Sequence, residues 1–469
     1  MESVNGYRKL KKNLERMCTI SQNSNYKISI IVDLAGPILE MIEKLPMAFM
    51  MVMNTHPRMR SKLIRNVPFT CTIQDNVSME EVEPLISVIH VVDDEWKKYV
   101  QDECNIPFDR YTQYPYNIKC YLQNEQSAKL VIYADHYMSD GVSAMHIFND
   151  LCQYICNPNL IPMMEPLTKN IYTLQNSKLK RIWESIILKM SSSIIRYKLK
   201  SYKPVFDIDC KQKPFRFPLP SNPSQALFHH GHPDNMKNVL NTCKSFNVSV
   251  NSAVIVSLLL SAFYVSNQME MKSNLKNNGK FKMVLDCAFD MRRLSRKSVN
   301  LKVGAFSATT PLHGYANRGL DLDTNFWLEC QRAKKEMVKY YHLLSMTLGC
   351  IDLFFSHENG KPFLENQPGC IMSDMNISNI GKYPFPASYQ LNNQSLQIKG
   401  CFAHCASSHM AAGCNVYFVG TNVFSYSMSY KFEESVSKMF FDTFVKVTES
   451  IGTIQKHETI RMVIDRILI

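Results

Sequence analysis

One short run of the sequence combines a histidine, an acid and a glycine just after an apolar segment. His136 follows the apolar residues 128–134, and Asp140 and Gly141 come shortly after it. A neutral imidazole, with an ordinary pKa of about 6.5, accepts a proton at neutral pH without heavy tuning. Acyl transfer needs one such base, because an alcohol or amine must lose a proton as it attacks a thioester carbonyl. His136 is therefore a candidate general base.

Asp140 and Gly141 have local roles of their own. At a helix start, Asp140 can cap backbone N–H groups, and if buried it needs a cationic partner. Gly141 allows a backbone conformation that other residues resist. A plainer interpretation stays open, in which His136 is a hydrogen-bonded core histidine and Asp140 with Gly141 forms only a turn. The chain has no Gly-x-Ser-x-Gly sequence, so an acyl-serine route is not indicated.

The elements around His136 would place it at a crevice. The pattern predicts a strand over residues 128–134, a tight turn, and an amphipathic helix from Gly141. Layers of helix and sheet bind ligands at such strand ends. The apolar face of this helix, at helical spacing, comprises Val142, Met145, Phe148, Leu151, Cys152 and Ile155.

Further elements alternate between strand and helix along the chain. The first predicted helix contains Pro46, where we expect a kink or a restart. Val423–Tyr430 alternates and predicts a half-buried strand, paired with the strand before it by a turn at 420–422. The remaining predicted elements are a strand at 26–32, a buried helix at 252–265, a strand at 281–289, a segment at 376–381 before a proline-containing loop, and a helix at 433–451.

Composition divides the chain into two halves and a connection. We expect halves at 1–155 and 226–469, joined by a proline-rich crossover at 156–225. The crossover contains a basic helical segment, residues 177–200. A packed surface helix is the favoured interpretation of that segment, and peripheral contact with an anionic membrane is the alternative.

Composition also limits the function. The 469 residues are 45% hydrophobic and 20% charged, which is typical of a globular protein. A net charge of +12 fits anionic ligands, and without a nucleic-acid-binding motif it does not indicate nucleic acid. The 15 scattered cysteines and the absence of a signal core predict reduced thiols in a cytoplasmic protein. No apolar run is long enough to indicate a membrane span rather than a core helix.

The run from His136 to Gly141 resembles the His-x-x-x-Asp-Gly motif of the chloramphenicol-acetyltransferase-like superfamily. That superfamily includes condensation domains, BAHD acyltransferases and alcohol acetyltransferases. Three further elements resemble its landmarks and occur in the same order, namely His56-Pro57-Arg58-Met59-Arg60, Asp290-Met291-Arg292 and Ser378-Asn379-Ile380-Gly381. The resemblance spans about residues 1–155 and 245–450. It implies an α/β fold of two similar halves, mixed sheets with flanking helices, joined at a central tunnel.

The resemblance also implies roles for individual residues. His136 would be the general base, and Asp140 would be structural and paired with Arg292. Gly141 would leave room beside the donor. Ser378 and Asn379 would line the tunnel and bind substrate, together with Arg292, although a strand-end turn is an equal alternative for Ser378 and Asn379.

Departures from the motif favour one branch of the superfamily. Condensation domains carry a second histidine where this chain has Asp135, and the Asp-Phe-Gly-Trp-Gly signature of the BAHD family is absent. The alcohol acetyltransferase branch fits best. It implies acyl-CoA-dependent O-acetylation of a small apolar alcohol by a monomer, without a covalent acyl-enzyme. N-acyl transfer, condensation with a carrier-protein thioester, or a non-catalytic ligand-binding relative are the alternatives.

No cofactor or metal is expected, since acyl-CoA is a co-substrate. Arg293, Arg296 and Lys297 could attract its phosphates, with a solvated basic loop as the alternative. The histidines at 229, 230 and 232 lack the ligand number of a zinc site. The group Cys401, His404, Cys405, His409 and Cys414 matches no zinc spacing, and buried thiols near a substrate tunnel are favoured.

Overall fold

A computed structural model describes residues 7–10, 15, 18–19, 25–167, 182–183, 186, 204–206, 223–269, 280–292, 301–341, 373–406 and 412–469. The strands are β1 Tyr7–Lys9, β2 Lys27–Ala35, β3 Ser61–Leu63, β4 Thr70–Ile73, β5 Ile86–His90, β6 Tyr116–Asn124, β7 Ser127–Asp135, β8 Gln225–His230, β9 Leu285–Asp290, β10 Ser307–Pro311, β11 Ser373–Lys382, β12 Ser388–Leu391, β13 Gln394–Cys405, β14 Ala412–Gly420 and β15 Phe424–Tyr430. The helices are α1 Ile38–Thr55, α2 Met79–Val82, α3 Glu95–Cys104, α4 Gly141–Cys156, α5 Pro233–Ser245, α6 Val250–Gln268, α7 His313–Asn317, α8 Phe326–Tyr341, α9 Glu434–Ser450 and α10 Ile460–Ile467.

The first six-stranded sheet carries the predicted catalytic histidine at the end of a central strand. Its strand order is β12-β13-β2-β7-β6-β5, and it is mixed because β5 and β6 run parallel while the other pairs are antiparallel. Strand β7 is buried along almost its whole length, so its apolar run fits an interior position with both faces covered. Helices α1 and α4 pack together against this sheet.

The second six-stranded sheet has the order β10-β9-β11-β14-β15-β8 and is also mixed. Helix α6 packs between α8 and α9 beneath it. By length and composition α6 could cross a membrane, yet most of it is buried inside the protein. The long apolar segment is therefore a core helix, as the sequence predicted.

The C-terminal half contributes two strands to the first sheet. Strands β12 and β13 lie in the predicted C-terminal half, but β13 pairs antiparallel with β2 and completes the first sheet. The side chains of Cys401, Ala403 and Cys405 on β13 join the core of the first half. A boundary at residue 226 therefore does not assign each sheet to one half of the chain. The expected domain boundaries stay a prediction.

Two local expectations differ from the structure. A restart at Pro46 was wrong, because helix α1 continues through the proline, with Leu45, Phe49 and their buried neighbours anchoring it on both sides. Strand β15 is buried on both faces rather than half-buried, because it lies between β14 and β8 and β13 packs against it. Of the basic segment 177–200, only Ile182, Trp183 and Ile186 belong to the described residues. They are helical and exposed.

Candidate active site

The imidazole of His136 is held in one tautomer. Its Nδ1 lies 2.6 Å from the carbonyl oxygen of Ser139, and its backbone N–H donates to Tyr26 O at 3.0 Å. Because a carbonyl oxygen only accepts, Nδ1 must carry the proton in this contact. The Nε2 atom then keeps its lone pair, which a general base requires. The half-buried ring lines a cavity between the two sheets.

Asp135 fixes the end of strand β7 directly before His136. Its carboxylate accepts from Arg110 Nε at 2.6 Å and Nη2 at 3.1 Å, and both side chains are about 2% exposed. A bidentate pair of this kind is directional as well as strong. Asp135, which stands where condensation domains carry a second histidine, therefore forms a buried ion pair. Arg110 was not predicted from the sequence, where it is only a lone arginine between polar residues.

Asp140 is the N-cap residue of helix α4, and its carboxylate also contacts the second half. Its carboxylate caps the helix by accepting from Ser143 N at 2.8 Å, as predicted. It pairs with Arg292 at 2.9 and 3.0 Å, as the resemblance implied, and accepts from Phe306 N at 2.8 Å. Burial alone would raise the pKa of Asp140, but the Arg292 charge and these hydrogen bonds outweigh burial and lower it.

The guanidinium of Arg292 is saturated by protein acceptors. Besides Asp140, it donates to Asp290, to Ser143 Oγ at 2.8 Å and to two backbone carbonyls, those of Leu301 and Lys302. Every N–H of the side chain therefore has an acceptor, although Arg292 also borders the cavity. This geometry gives Arg292 a positioning role. Its predicted contact with substrate would require one of these bonds to break.

Gly141 is needed for space and not for an unusual backbone conformation. It is the first residue of α4, and it is not among the glycines with positive φ, so the expected conformational role was wrong. A Cβ placed on Gly141 would lie 2.5 Å from Ile380 Cδ1, which is closer than real contacts allow. The glycine therefore lets helix α4 approach strand β11 of the second sheet.

The cavity lies between the two sheets and has a volume of about 280 Å³. His136, Asp140 and Gly141 line it from the first half, and Ser378 and Asn379 from the second. Ser378 and Asn379 belong to β11, which contains a bulge just after Asn379, so a simple strand-end turn does not describe them. The Asn379 side chain stabilises the bulge by accepting from Gly381 N at 2.9 Å.

A second histidine of the cavity wall was missed as a binding residue. His404 on β13 is 2% exposed, and its Nδ1 has no hydrogen-bond partner among the described residues. Burial lowers the pKa of His404 to about 3, so the ring is neutral. His404 belongs to the Cys401–Cys414 cluster, for which the sequence favoured buried thiols near a substrate tunnel over a metal site, and no binding role was assigned to the histidine itself.

Other predicted residues lie outside the cavity. Arg293, Arg296 and Lys297 fall outside the described residues. His229 and His230 face a separate surface cleft together with Trp96 and Lys129. Within the part of the chain that the structure describes, no group of three His, Cys, Asp or Glu side chains is arranged to hold a metal ion.

The element His56-Pro57-Arg58 does not contact substrate space directly but packs against the turn and the helix next to His136. Arg58 is buried, donates to Glu15 at 2.9 Å and lies 3.9 Å from the sulfur of Met138 in the turn after His136. His56 pairs through Nε2 with Asp150 of helix α4 at 2.9 Å. These contacts fix the turn and the helix that flank His136.

No family model matches the sequence, and no curated protein matches it significantly. Solved structures do match. The TRI3 trichothecene 15-O-acetyltransferase from Fusarium sporotrichioides superposes with a TM-score of 0.71 at 11% identity, over 96% of this chain and 96% of that one. The condensation domain of the monacolin K polyketide synthase MokA gives 0.62 at 10%, over 98% and 100%. Polyketide synthase associated protein 5 from Mycobacterium tuberculosis gives 0.60 at 14%, over 94% and 98%.

Proposed function

The chain has the chloramphenicol-acetyltransferase-like fold that its motifs indicated, and we propose that it is an acyltransferase. In this proposal it transfers an acyl group, in the simplest case acetyl, from acyl-CoA to the hydroxyl of an alcohol. His136 is the general base, and no covalent acyl-enzyme forms. The fold supports this because its solved examples include an acetyltransferase and condensation domains. At this level of identity they establish the fold alone.

The observation that carries the proposal is the tautomer of His136 at a cavity open to both halves. With Nδ1–H donated to Ser139 O, Nε2 is the atom that can take the proton of a bound hydroxyl. The acceptor oxygen then attacks the thioester carbonyl to give a tetrahedral oxyanion. As the C–S bond breaks, the CoA thiolate takes the proton back from the imidazolium, so the enzyme returns to its initial state.

The other cavity residues would hold the substrates in line. We assign Ser378 to the acyl carbonyl or its oxyanion, since the Asn379 amide oxygen accepts from Gly381 N and its Nδ2 donates to Asn251 Oδ1 at 3.4 Å. The ion pair between Asp140 and Arg292 fixes the position of the His136 turn relative to the second half. Arg293, Arg296 and Lys297 follow Arg292 in sequence and are proposed to contact the phosphates of coenzyme A.

The test is direct. The protein is incubated with acetyl-CoA and a panel of alcohols, while free thiol and ester product are measured together. His136→Ala should lower the rate by about 10²- to 10⁴-fold, the usual contribution of a positioned base. His146→Ala is the matched control, because His146 lies on helix α4, which follows the turn of His136, and is not a cavity residue. Equal thiol release by wild type and His136→Ala, with no ester formed, would exclude the proposal.

A carrier-protein thioester is the second candidate donor, favoured by the similarity to condensation domains. The same base would then deprotonate an amine or alcohol brought to the cavity. Supplying the acyl group on a phosphopantetheinyl carrier protein and on CoA, at equal concentration, separates the two donors. Faster transfer from the carrier protein would favour condensation.

A further inference from the structure

Three polar side chains form a row across the second sheet where it faces the cavity. Asp286 on β9 is the register partner of Asn376 on β11, and Asn376 is the partner of Asn415 on β14. Register partners point to the same face of a sheet, and all three residues line the cavity. We call Asp286, Asn376 and Asn415 the polar row. Ser429 on β15 continues the register beyond Asn415 but is not part of the cavity wall.

The polar row is unusual for its position in the sheet. The next residues along the same strands, Cys287, Ile377 and Val416, point to the opposite face and are part of the apolar core. Parallel strands inside a protein normally present apolar residues on both faces. Asn415 is fully buried, and the other two residues of the row are half-buried, so their polar groups cost folding free energy unless something satisfies them.

The amides of the row satisfy each other only in part. Asn376 Nδ2 donates to Asn415 Oδ1 at 3.1 Å. Asn376 Oδ1 and Asn415 Nδ2 have no partner among the described residues, although Asn415 is fully buried. One acceptor and one donor thus remain available side by side at the cavity.

Asp286 adds a carboxyl that lacks a counterion. Among the described residues, no lysine, arginine or histidine forms an ion pair with it. Burial raises its pKa to about 6, and the Ser373 hydroxyl counteracts burial only in part, so the carboxylate lacks hydrogen-bond donors near neutral pH. A bound hydroxyl would supply such a donor.

We propose that the polar row binds a neutral, polyhydroxylated acceptor, which it orients by two or more hydroxyl groups other than the one that is acylated. Hydroxyls fit the row because each donates to Asp286 or Asn376 Oδ1 and accepts from Asn415 Nδ2. An amine would use the carboxyl but leave the amide donor of Asn415 unsatisfied. This inference rests on the proposed function, and it replaces the apolar alcohol expected from the sequence.

The experiment compares cyclohexanol with cyclohexane-1,3,5-triol as acceptors, at saturating acetyl-CoA. Wild type should show a kcat/KM at least about tenfold higher for the triol, since a site built for hydroxyls rejects an analogue that lacks them. Asn415→Leu should abolish this preference while turnover of cyclohexanol continues. Ser429→Ala is the matched control, because it removes a polar atom from the same register outside the cavity, and it should keep the preference. A melting curve of each variant checks that it is folded.

A binding measurement separates failure of this inference from failure of the proposed function. Titration calorimetry with the triol is run on His136→Ala, with and without the additional Asn415→Leu substitution. Equal kcat/KM values for the two alcohols would overturn the inference and leave acyl transfer intact. Transfer faster to 3-aminocyclohexanol than to the triol would also overturn it, in favour of a cationic acceptor. Triol binding that depends on Asn415, without any turnover, would sustain the polar row while the proposed function falls. Absence of both binding and turnover would overturn both.

Discussion

Gly141 and Ile380 are in contact across the two halves of the molecule, at the start of the helix that follows the turn of His136. A Cβ on Gly141 would lie 2.5 Å from Ile380 Cδ1 but 3.4 Å from Cγ1 and 3.6 Å from Cγ2. The conflict is therefore with a single terminal methyl group. This contact couples the two motifs, because Gly141 belongs to the His-x-x-x-Asp-Gly run and Ile380 to the Ser378–Gly381 run.

We expect Gly141→Ala to lower kcat/KM and to destabilise the protein by about 2 kcal/mol, the usual cost of overpacking. Ile380→Val removes the conflicting Cδ1, so the double variant Gly141→Ala with Ile380→Val should recover most of both losses. Urea unfolding and steady-state kinetics on the four proteins of this cycle measure the coupling. Additive effects of the two substitutions would contradict the contact.

Asp140→Asn should lower the stability by about 3 kcal/mol, because it leaves the charge of Arg292 buried beside a neutral amide. It should also reduce kcat, since the turn of His136 loses its anchor in the second half. Asp290→Asn is the matched control. It removes the other, more exposed carboxylate bound to Arg292, and should cost less than about 1 kcal/mol. An Asp140→Asn protein with wild-type stability and activity would refute the positioning role.

The local character of the site was predictable from the sequence. The strand, the turn at His136 and the helix from Gly141 follow from apolar periodicity and a capping residue, and the structure contains all three. The pairing of Asp140 with Arg292 came only from the resemblance, because no local rule relates residues 152 positions apart. The space requirement at Gly141 was not predictable, since it depends on how closely β11 approaches α4.

Two further features could not be predicted from the sequence, for a related reason. They are the position of β12 and β13 in the first sheet, and the polar row. Composition and spacing describe neighbours along the chain, whereas both features depend on which strands pair across the sheet. Asp286, Asn376 and Asn415 stand in three separate segments, and only the register of β9, β11 and β14 brings them into one row. Each is unremarkable alone, so no sequence signal distinguished them.

Asp286→Asn should stabilise the protein at neutral pH but not in acid. The folded pKa of Asp286, about 6, lies above its ordinary value of 3.8. The carboxyl therefore contributes stability below pH 3.8, and that contribution is lost as the pH rises through about 6. Relative to wild type, the free energy of unfolding of Asp286→Asn should rise between pH 4 and pH 7 by at most about 3 kcal/mol.

Urea unfolding at several pH values measures this difference. Asp442→Asn, which changes an exposed carboxyl on helix α9, is the matched control and should follow the wild-type curve. A difference between Asp286→Asn and wild type that does not vary with pH would show that Asp286 is not the titrating group.

His56 is clamped between two carboxylates from different segments. Its Nε2 lies 2.9 Å from Asp150 of helix α4, and its Nδ1 lies 3.5 Å from Glu165, which also binds Lys302 of the second half at 2.7 Å. Burial alone would lower the pKa of His56, but the hydrogen bonds and charges of Asp150 and Glu165 outweigh burial and raise it. The imidazole therefore bridges helix α4 and the first part of the crossover, where Glu165 lies.

The pKa of His56 in the folded protein is raised above its ordinary value of 6.5. Its stabilising effect is therefore complete below pH 6.5 and is lost as the pH rises through the pKa of the folded protein. We expect His56→Gln to cost about 2 kcal/mol at pH 6 and progressively less in alkali, as measured by urea unfolding between pH 5.5 and 9.5. Glu165→Gln, which keeps the Asp150 contact, should show a smaller pH-dependent loss of the same sign. A constant difference between His56→Gln and wild type across this range would mean that His56 is neutral in the folded protein.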